Sequence, residues 1–137
     1  METANPQIGV LVVDDETDVI ELFRQRFRGE LRRGDMILHF AHSGAEAMAM
    51  MMAGLRPEAV LILSDINMPD IDGFALLAQV KRQWPAMPVM MLTAYGDEDN
   101  RARAKALGAT DFLTKPIDFV QLKATLGKII AGARGRS

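Results

Sequence analysis

The sequence contains no cysteine, which excludes disulfides, thiolate metal ligands and thiol chemistry. It has only two histidines, His39 and His42, and both fall on a predicted second strand and its exit loop. A zinc site is therefore poorly supported, and each histidine reads as an ordinary edge or loop side chain. Neither sign of charge dominates: the net charge is −2 with 25% charged residues, so no global field favours nucleic acid or membrane. Long apolar runs are also missing. Met1 to Gln7 is polar, with no apolar signal region, and no stretch approaches a membrane span. No glycine-rich phosphate loop follows the first apolar run, so a nucleotide is not expected. No repeat, low-complexity block or internal linker occurs. What remains is the expectation of a cytoplasmic, one-domain protein, whose 137 residues, 49% of them hydrophobic, can fill one core.

Within that frame, short apolar runs alternate with longer helix-like stretches. Ile8-Gly9-Val10-Leu11-Val12-Val13 is the mark of a central strand covered on both faces. A helix follows from Glu16 to about Arg33, with Val19, Ile20, Leu22, Phe23, Phe27 and Leu31 at roughly helical spacing. Arg24, Arg26, Arg28, Arg32 and Arg33 read as its solvated face, with partner docking as the alternative. Gly34-Asp35 turns the chain into the strand Met36 to Ala41. Ser43-Gly44-Ala45-Glu46 matches a capping box and opens a methionine-rich helix, Ala45 to Ala53. Core packing explains those methionines more simply than a sticky partner surface.

The strand Ala59 to Ser64 stops on Asp65, and the turn-rich loop from Ile66 to Gly73 follows. Phe74 to Gln83 reads as a helix closed by Trp84-Pro85, with Trp84 packed at its end. Pro88 to Leu92 is a fourth strand, and Asp97, Glu98 and Asp99 sit where a helix amino terminus favours negative charge. That helix runs to Leu107 and stops at Gly108. Asp111 to Thr114 is a short fifth strand. Phe119, Leu122, Leu126, Ile129 and Ile130 stripe a last helix that frays from Gly132.

Five strands alternating with five helices argue for a parallel sheet with helices on both faces. Crossover handedness then brings every strand's carboxyl end to one edge. Asp14 and Asp15 follow the first strand, Asp65 ends the third, Thr93 and Ala94 end the fourth, and Lys115 follows the fifth. Three carboxylates facing one ammonium make a hard, oxygen-rich site suited to Mg²⁺. A metal, a lysine and a hydroxyl together match the oxygens of a phosphoryl group. The nucleophile must then be a carboxylate. Asp65 is the candidate, being single and central, while the Asp14-Asp15 pair is better placed to hold metal.

Four segments carry a family resemblance: Val12-Val13-Asp14-Asp15; Ser64-Asp65-Ile66-Asn67-Met68-Pro69 with Asp72-Gly73; Leu92-Thr93-Ala94; and Phe112-Leu113-Thr114-Lys115-Pro116. Each is weak alone, but in this order at strand ends they are highly specific. The sequence resembles the receiver domain of two-component response regulators, over about Ile8 to Ala131. The resemblance implies a flavodoxin-like, doubly wound, three-layer α/β fold with strand order 2-1-3-4-5. It implies one receiver domain over 1–137, with flexible ends at 1–7 and 132–137.

The same resemblance implies roles. Asp65 matches the phosphorylated aspartate. Asp15, Asp65 and the Asn67 carbonyl match the direct Mg²⁺ ligands, and Asp14 the acidic partner acting through water. Lys115 matches the lysine that pairs with phosphoryl oxygens, Thr93 the hydroxyl that moves onto them, and the Ala94 N–H a donor beside it. Phe112 sits at the aromatic switch position, without the hydroxyl a tyrosine would have. Pro116 matches a proline often preceded by a cis bond. Asn67 and Tyr95 lie where dephosphorylation is tuned. The implied partners are a histidine kinase or phosphotransfer protein, and a downstream effector protein or a homodimer partner. Direct nucleic-acid and membrane contacts are not expected.

Such a switch supports its own phosphorylation and autodephosphorylation but is not expected to turn over an external substrate. Two rivals stand beside it. A phosphatase of the haloacid-dehalogenase type also uses Asp, Mg²⁺ and Lys, but wants a second acid where this chain has Asn67, and a cap for which there is little room. A phosphorylation-independent interaction module is the other. The chain ends just past the fifth helix, so it is expected to act through protein contacts or to be a fragment of something longer.

Overall fold

The computed structural model describes residues 8–54, 59–66, 72–93 and 98–134. Among these residues, five strands and six helices follow one another: β1 (Ile8–Val13), α1 (Thr17–Arg26), α2 (Arg28–Arg32), β2 (Met36–Ala41), α3 (Gly44–Met52), β3 (Ala59–Asp65), α4 (Gly73–Gln83), β4 (Val89–Thr93), α5 (Glu98–Ala106), β5 (Asp111–Thr114) and α6 (Phe119–Arg134). All strand pairings are parallel, in the order β2-β1-β3-β4-β5. This is the doubly wound, flavodoxin-like α/β arrangement that the family resemblance implies. Among the described residues, no helix is long and apolar enough to cross a membrane.

Alternation along β1 shows why both sheet faces are covered. Val10 and Val12 point into one core with Phe23, Phe27, Phe119, Leu122 and Leu126, under α1, α2 and α6. Leu11 and Val13 point into the other with Met51, Phe74, Leu77, Val80 and Ala104, under α3, α4 and α5. Successive side chains of a strand face opposite ways, so an unbroken apolar run serves both layers. Fully burying each such side chain stabilises the fold by about 1.5–3 kcal/mol.

The long first helix expected from Glu16 to about Arg33 is instead two. The chain turns at Phe27 (φ −105, ψ 18), and the second piece is a single short helix. The Phe27 ring is buried against Phe23 at 5.9 Å and Phe119 at 6.0 Å. Packing of that ring, together with the weak helix former Gly29, outweighs continuation of the helix. Lys123 of α6 then pairs with Glu30 of α2 at 3.1 Å and lies over the Phe27 ring. Gly34 takes φ 76 at the turn into β2, a conformation glycine adopts without strain.

The capping box forms: Ser43 accepts from the Glu46 N–H at 3.0 Å, and the Glu46 carboxylate accepts from the His42 N–H at 2.7 Å. That backbone bond holds the Glu46 carboxyl below its ordinary pKa. Met51 is buried and Met48 and Met50 pack against the core, while Met52 stays 64% exposed. Trp84 is half-buried on the same core. The first-helix arginines are exposed, with Arg24 paired to Glu21 and Arg33 to Asp35. At the far end α6 continues to Arg134 rather than fraying at Gly132, since one glycine lowers helix stability by only about 1 kcal/mol.

The start of α4 is pressed against the end of β3. The Gly73 N–H donates to the Ile66 carbonyl at 2.7 Å, and Asp72 caps the helix by accepting from the Ala75 N–H at 2.9 Å. A Cβ on Gly73 would meet the Asp65 carbonyl oxygen at 2.5 Å and the Ile66 Cα at 2.6 Å. Backbone atoms cannot rotate aside, so Gly73→Ala should push α4 off the sheet and cost about 1–3 kcal/mol. Urea unfolding should show the loss as a lower midpoint; an unchanged midpoint would mean that this approach carries no packing constraint.

Candidate functional site

Strand register assembles the site from distant parts of the chain. Val13 lies level with Ser64, Asp65 with Leu92, and Thr93 with Thr114. The residues leaving each strand are then tied to a neighbouring strand by their backbones. The Asp14 N–H donates to the Ala41 carbonyl at 3.0 Å, the Ile66 N–H to Leu92 at 3.2 Å, and the Lys115 N–H to Thr93 at 2.9 Å. These main-chain bonds set where the side chains emerge, at the carboxyl edge of a parallel sheet.

Lys115 is the centre of the cluster. Its Nζ lies 2.8 Å from Asp65 Oδ2, 3.2 Å from Asp14 Oδ2 and 3.2 Å from Glu16 Oε1. It donates hydrogen bonds to Asp65 and Glu16. Asp14 and Asp65 are buried and Asp15 is exposed. Carboxylate oxygens of Asp14, Asp15 and Asp65 lie within 4.8 Å of one another. Asp14 Oδ1 accepts from the Glu16 N–H at 2.9 Å, and beside the fully buried Oδ2 stands the Lys115 ammonium at 3.2 Å, outside good hydrogen-bond geometry. A buried carboxylate oxygen that must share one ammonium with other carboxylates is a costly arrangement in isolation. It suits a hard divalent cation such as Mg²⁺, which takes oxygen ligands and cancels the repulsion.

The electrostatics follow from this geometry. Burial raises the Asp14 carboxyl above its ordinary pKa, and the Asp65 charge adds to the rise, against the Glu16 N–H and Lys115, which lower it. Burial alone would lower Lys115, but the hydrogen bonds and charges of Asp65 and Asp14 together outweigh it and hold the ammonium above its ordinary range. Lys115 is therefore a permanent cation here.

Of the sequence-predicted residues, Asp14, Asp15, Asp65 and Lys115 come together. Thr93 is buried at the end of β4, and its hydroxyl donates to the Leu113 carbonyl at 3.4 Å, the long limit of a hydrogen bond. Phe112 is half-buried on β5, packed against the core, with the Arg101 guanidinium of α5 5.4 Å above its ring. The Lys115–Pro116 peptide bond is cis. Asn67, Ala94 and Tyr95 lie outside the described residues. His39 and His42 stay away from the cluster, on β2 and just after it. Glu16 is the residue that reading the sequence missed. Its only signal was position, directly after two acids at a strand end, and its partner is 99 residues away in the chain.

A family model described as the response regulator receiver domain matches residues 10–127. The chain is 33% identical over 93% of its length to the transcriptional regulatory protein ZraR of Salmonella typhimurium, of which it covers 27%. It thus spans about a quarter of that regulator's length. It is also 36% identical to an uncharacterised 14.6 kDa protein of Leptolyngbya boryana, over 85% of each chain. Among solved structures it resembles the chemotaxis response regulator CheY4 of Vibrio cholerae, with 31% identity, a TM-score of 0.72, and coverage of 90% of this chain and 98% of that one.

The raised pKa of Asp14 sets a pH dependence. The folded chain binds that proton more tightly than the unfolded one, so stability is favoured below the ordinary value of 3.8 and lost as pH rises through the folded value. At neutral pH, in chelator, ionised Asp14 is a net cost. Asp14→Asn should raise the urea midpoint at neutral pH, and the gain should shrink as pH falls through the folded value towards 3.8. A variant less stable than wild type at neutral pH would contradict this.

Proposed function

Since the chain belongs to the response regulator receiver domain family, we propose that it is the phosphoacceptor switch of a two-component system, with Asp65 as the acceptor. The single observation that carries this reading is Asp65, buried at a strand end, held 2.8 Å from Lys115 beside the buried Asp14 carboxylate. One carboxylate oxygen of Asp65 attacks phosphorus. The O–P bond forms as the P–N bond of a phosphohistidine breaks, and the electron pair stays on the imidazole nitrogen. Lys115 pairs with the phosphoryl oxygens as their charge grows. Asp14, Asp15 and Asp65, with the Asn67 carbonyl, would hold Mg²⁺, which when bound supplies charge neutralisation for those oxygens.

The phosphorylated aspartate carries more negative charge and more acceptor oxygens than the carboxylate it replaces. Among the described residues the Thr93 hydroxyl has a long bond to Leu113 to give up, so it turns to the new oxygens, helped by the Ala94 N–H. The Phe112 ring moves into the space vacated, and the face made by α5, β5 and α6 changes. Phosphorylation need only bias two existing states by a few kcal/mol. Asn67 and Tyr95 tune the lifetime of the phosphate.

In this reading residues 1–137 form one cytoplasmic receiver domain that turns over no external substrate. A histidine kinase or phosphotransfer protein is the donor, and an effector protein or a second copy reads the altered face. The named relatives include a transcriptional regulator, which supports an output in gene control when further domains are attached.

Acetyl phosphate with Mg²⁺ should label the wild type stoichiometrically and leave Asp65→Asn unlabelled; persistent labelling of that variant would remove Asp65 from its role. Lys115→Ala should still accept phosphate yet lose the accompanying conformational shift, as read by NMR of the α5–β5–α6 face. Retention of the full shift would remove Lys115 from the switch. Mg²⁺ should raise the urea midpoint of the wild type and raise that of Asp14→Asn less.

A further inference from the structure

We propose that Glu16 is a positioning residue for Lys115, holding the ammonium at the mouth of the crevice and competing for it with an incoming phosphoryl group. The inference rests on the phosphoacceptor reading. Glu16 occupies the N-cap position of α1 with extended backbone (φ −92, ψ 116), yet its side chain makes no capping hydrogen bond. The side chains that ordinarily satisfy the free N–H groups there are the shorter Ser, Thr, Asp and Asn. Here the carboxylate is turned away and accepts from Lys115 Nζ at 3.2 Å. The Glu16 backbone N–H is meanwhile held by Asp14 Oδ1 at 2.9 Å. One residue thus links the buried acid of β1 to the lysine after β5.

The consequence follows from counting donors. An ammonium has three N–H groups, and here one goes to Asp65 and one to Glu16, with Asp14 Oδ2 3.2 Å away to engage the third. As Asp65 attacks a donor phosphate, its O–P bond forms while the bond to the leaving group breaks, and the phosphoryl oxygens need those N–H groups. Any held by Glu16 must first be released. The Glu16 charge also stands at the rim, with the side chain 62% exposed, where an anionic donor enters. Both effects slow phosphorylation and weaken the lysine's grip on the phosphoryl group. A largely exposed ion pair is weak and screened by salt, so Glu16 sets a level and does not block the reaction.

The test uses the full chain with Mg²⁺ and acetyl phosphate, and separately a beryllofluoride titration that needs no turnover. Glu16→Ala should be labelled about two- to fivefold faster and bind beryllofluoride tighter by a similar factor, the range expected for an exposed pair. Glu16→Asp keeps the rim charge but is one methylene too short to hold the ammonium, so it should fall between wild type and Glu16→Ala. Glu21→Ala removes the same charge from the exposed face of α1, away from the crevice, and should match wild type. The Lys115 side-chain NMR signals should shift in Glu16→Ala and not in Glu21→Ala. The proposal is overturned if Glu16→Ala is no faster than wild type, if Glu16→Asp matches wild type, or if Glu21→Ala matches Glu16→Ala. A wild type that takes no label overturns the phosphoacceptor reading itself, a result distinct from these.

Discussion

One ammonium balanced against a surplus of carboxylate governs the open end of this sheet. Lys115 touches Asp14, Asp65 and Glu16, and Asp15 stands beside them. Removed from their surroundings, these acids would move apart, because like charges in a partly dry site repel. The parallel sheet forbids it. Each acid is attached to a strand whose neighbours are buried and whose exit is fixed by a hydrogen bond to the next strand. Such a site is maintained at the expense of stability, and that is where chemistry is found when a fold over-determines its geometry.

The rest of the molecule supplies that over-determination. Two apolar layers clamp the sheet from both faces. On one of them Phe23 and Phe27 meet Phe119, with ring centroids 5.2 Å and 6.0 Å from it. This contact ties α1 to α6, the helices that follow the strands bearing Asp14 and Lys115. Their placement is therefore a core property, insulated from what happens at the crevice. The residues proposed to move are held far less firmly. Thr93 has its long bond to Leu113, and Phe112 is half-buried beneath Arg101. A switch needs this contrast, because parts with low local stability respond to a small bias while the frame does not.

Much of the architecture could be read from residues alone, because it rests on local rules. The run Ile8 to Val13 is strand-like whatever surrounds it, and β2 and β5 fall where their runs were read. Ser43 with Glu46 opens α3 as their types demand. The break at Phe27 was not legible. Helical spacing continues through it, and only the ring's seat between Phe23 and Phe119 explains the turn. The length of α6 past Gly132 was missed because a glycine near a helix end is a weak signal in either direction.

The candidate site divides along the same line. Strand ends, the acids that close them and the one-sided delivery of parallel strands are consequences of period and crossover handedness, so the sequence by itself determined that Asp14, Asp15, Asp65 and Lys115 would share an edge. Only the tertiary structure decided how they meet: which oxygen of Asp14 faces the ammonium, that Lys115 is shared by three acids, and that Glu16 at the start of α1 is one of them. Those outcomes depend on distances of a few ångströms between residues up to 99 positions apart. No local rule carries that information, because it arises when the packed layers bring the β1 and β5 exits to one place.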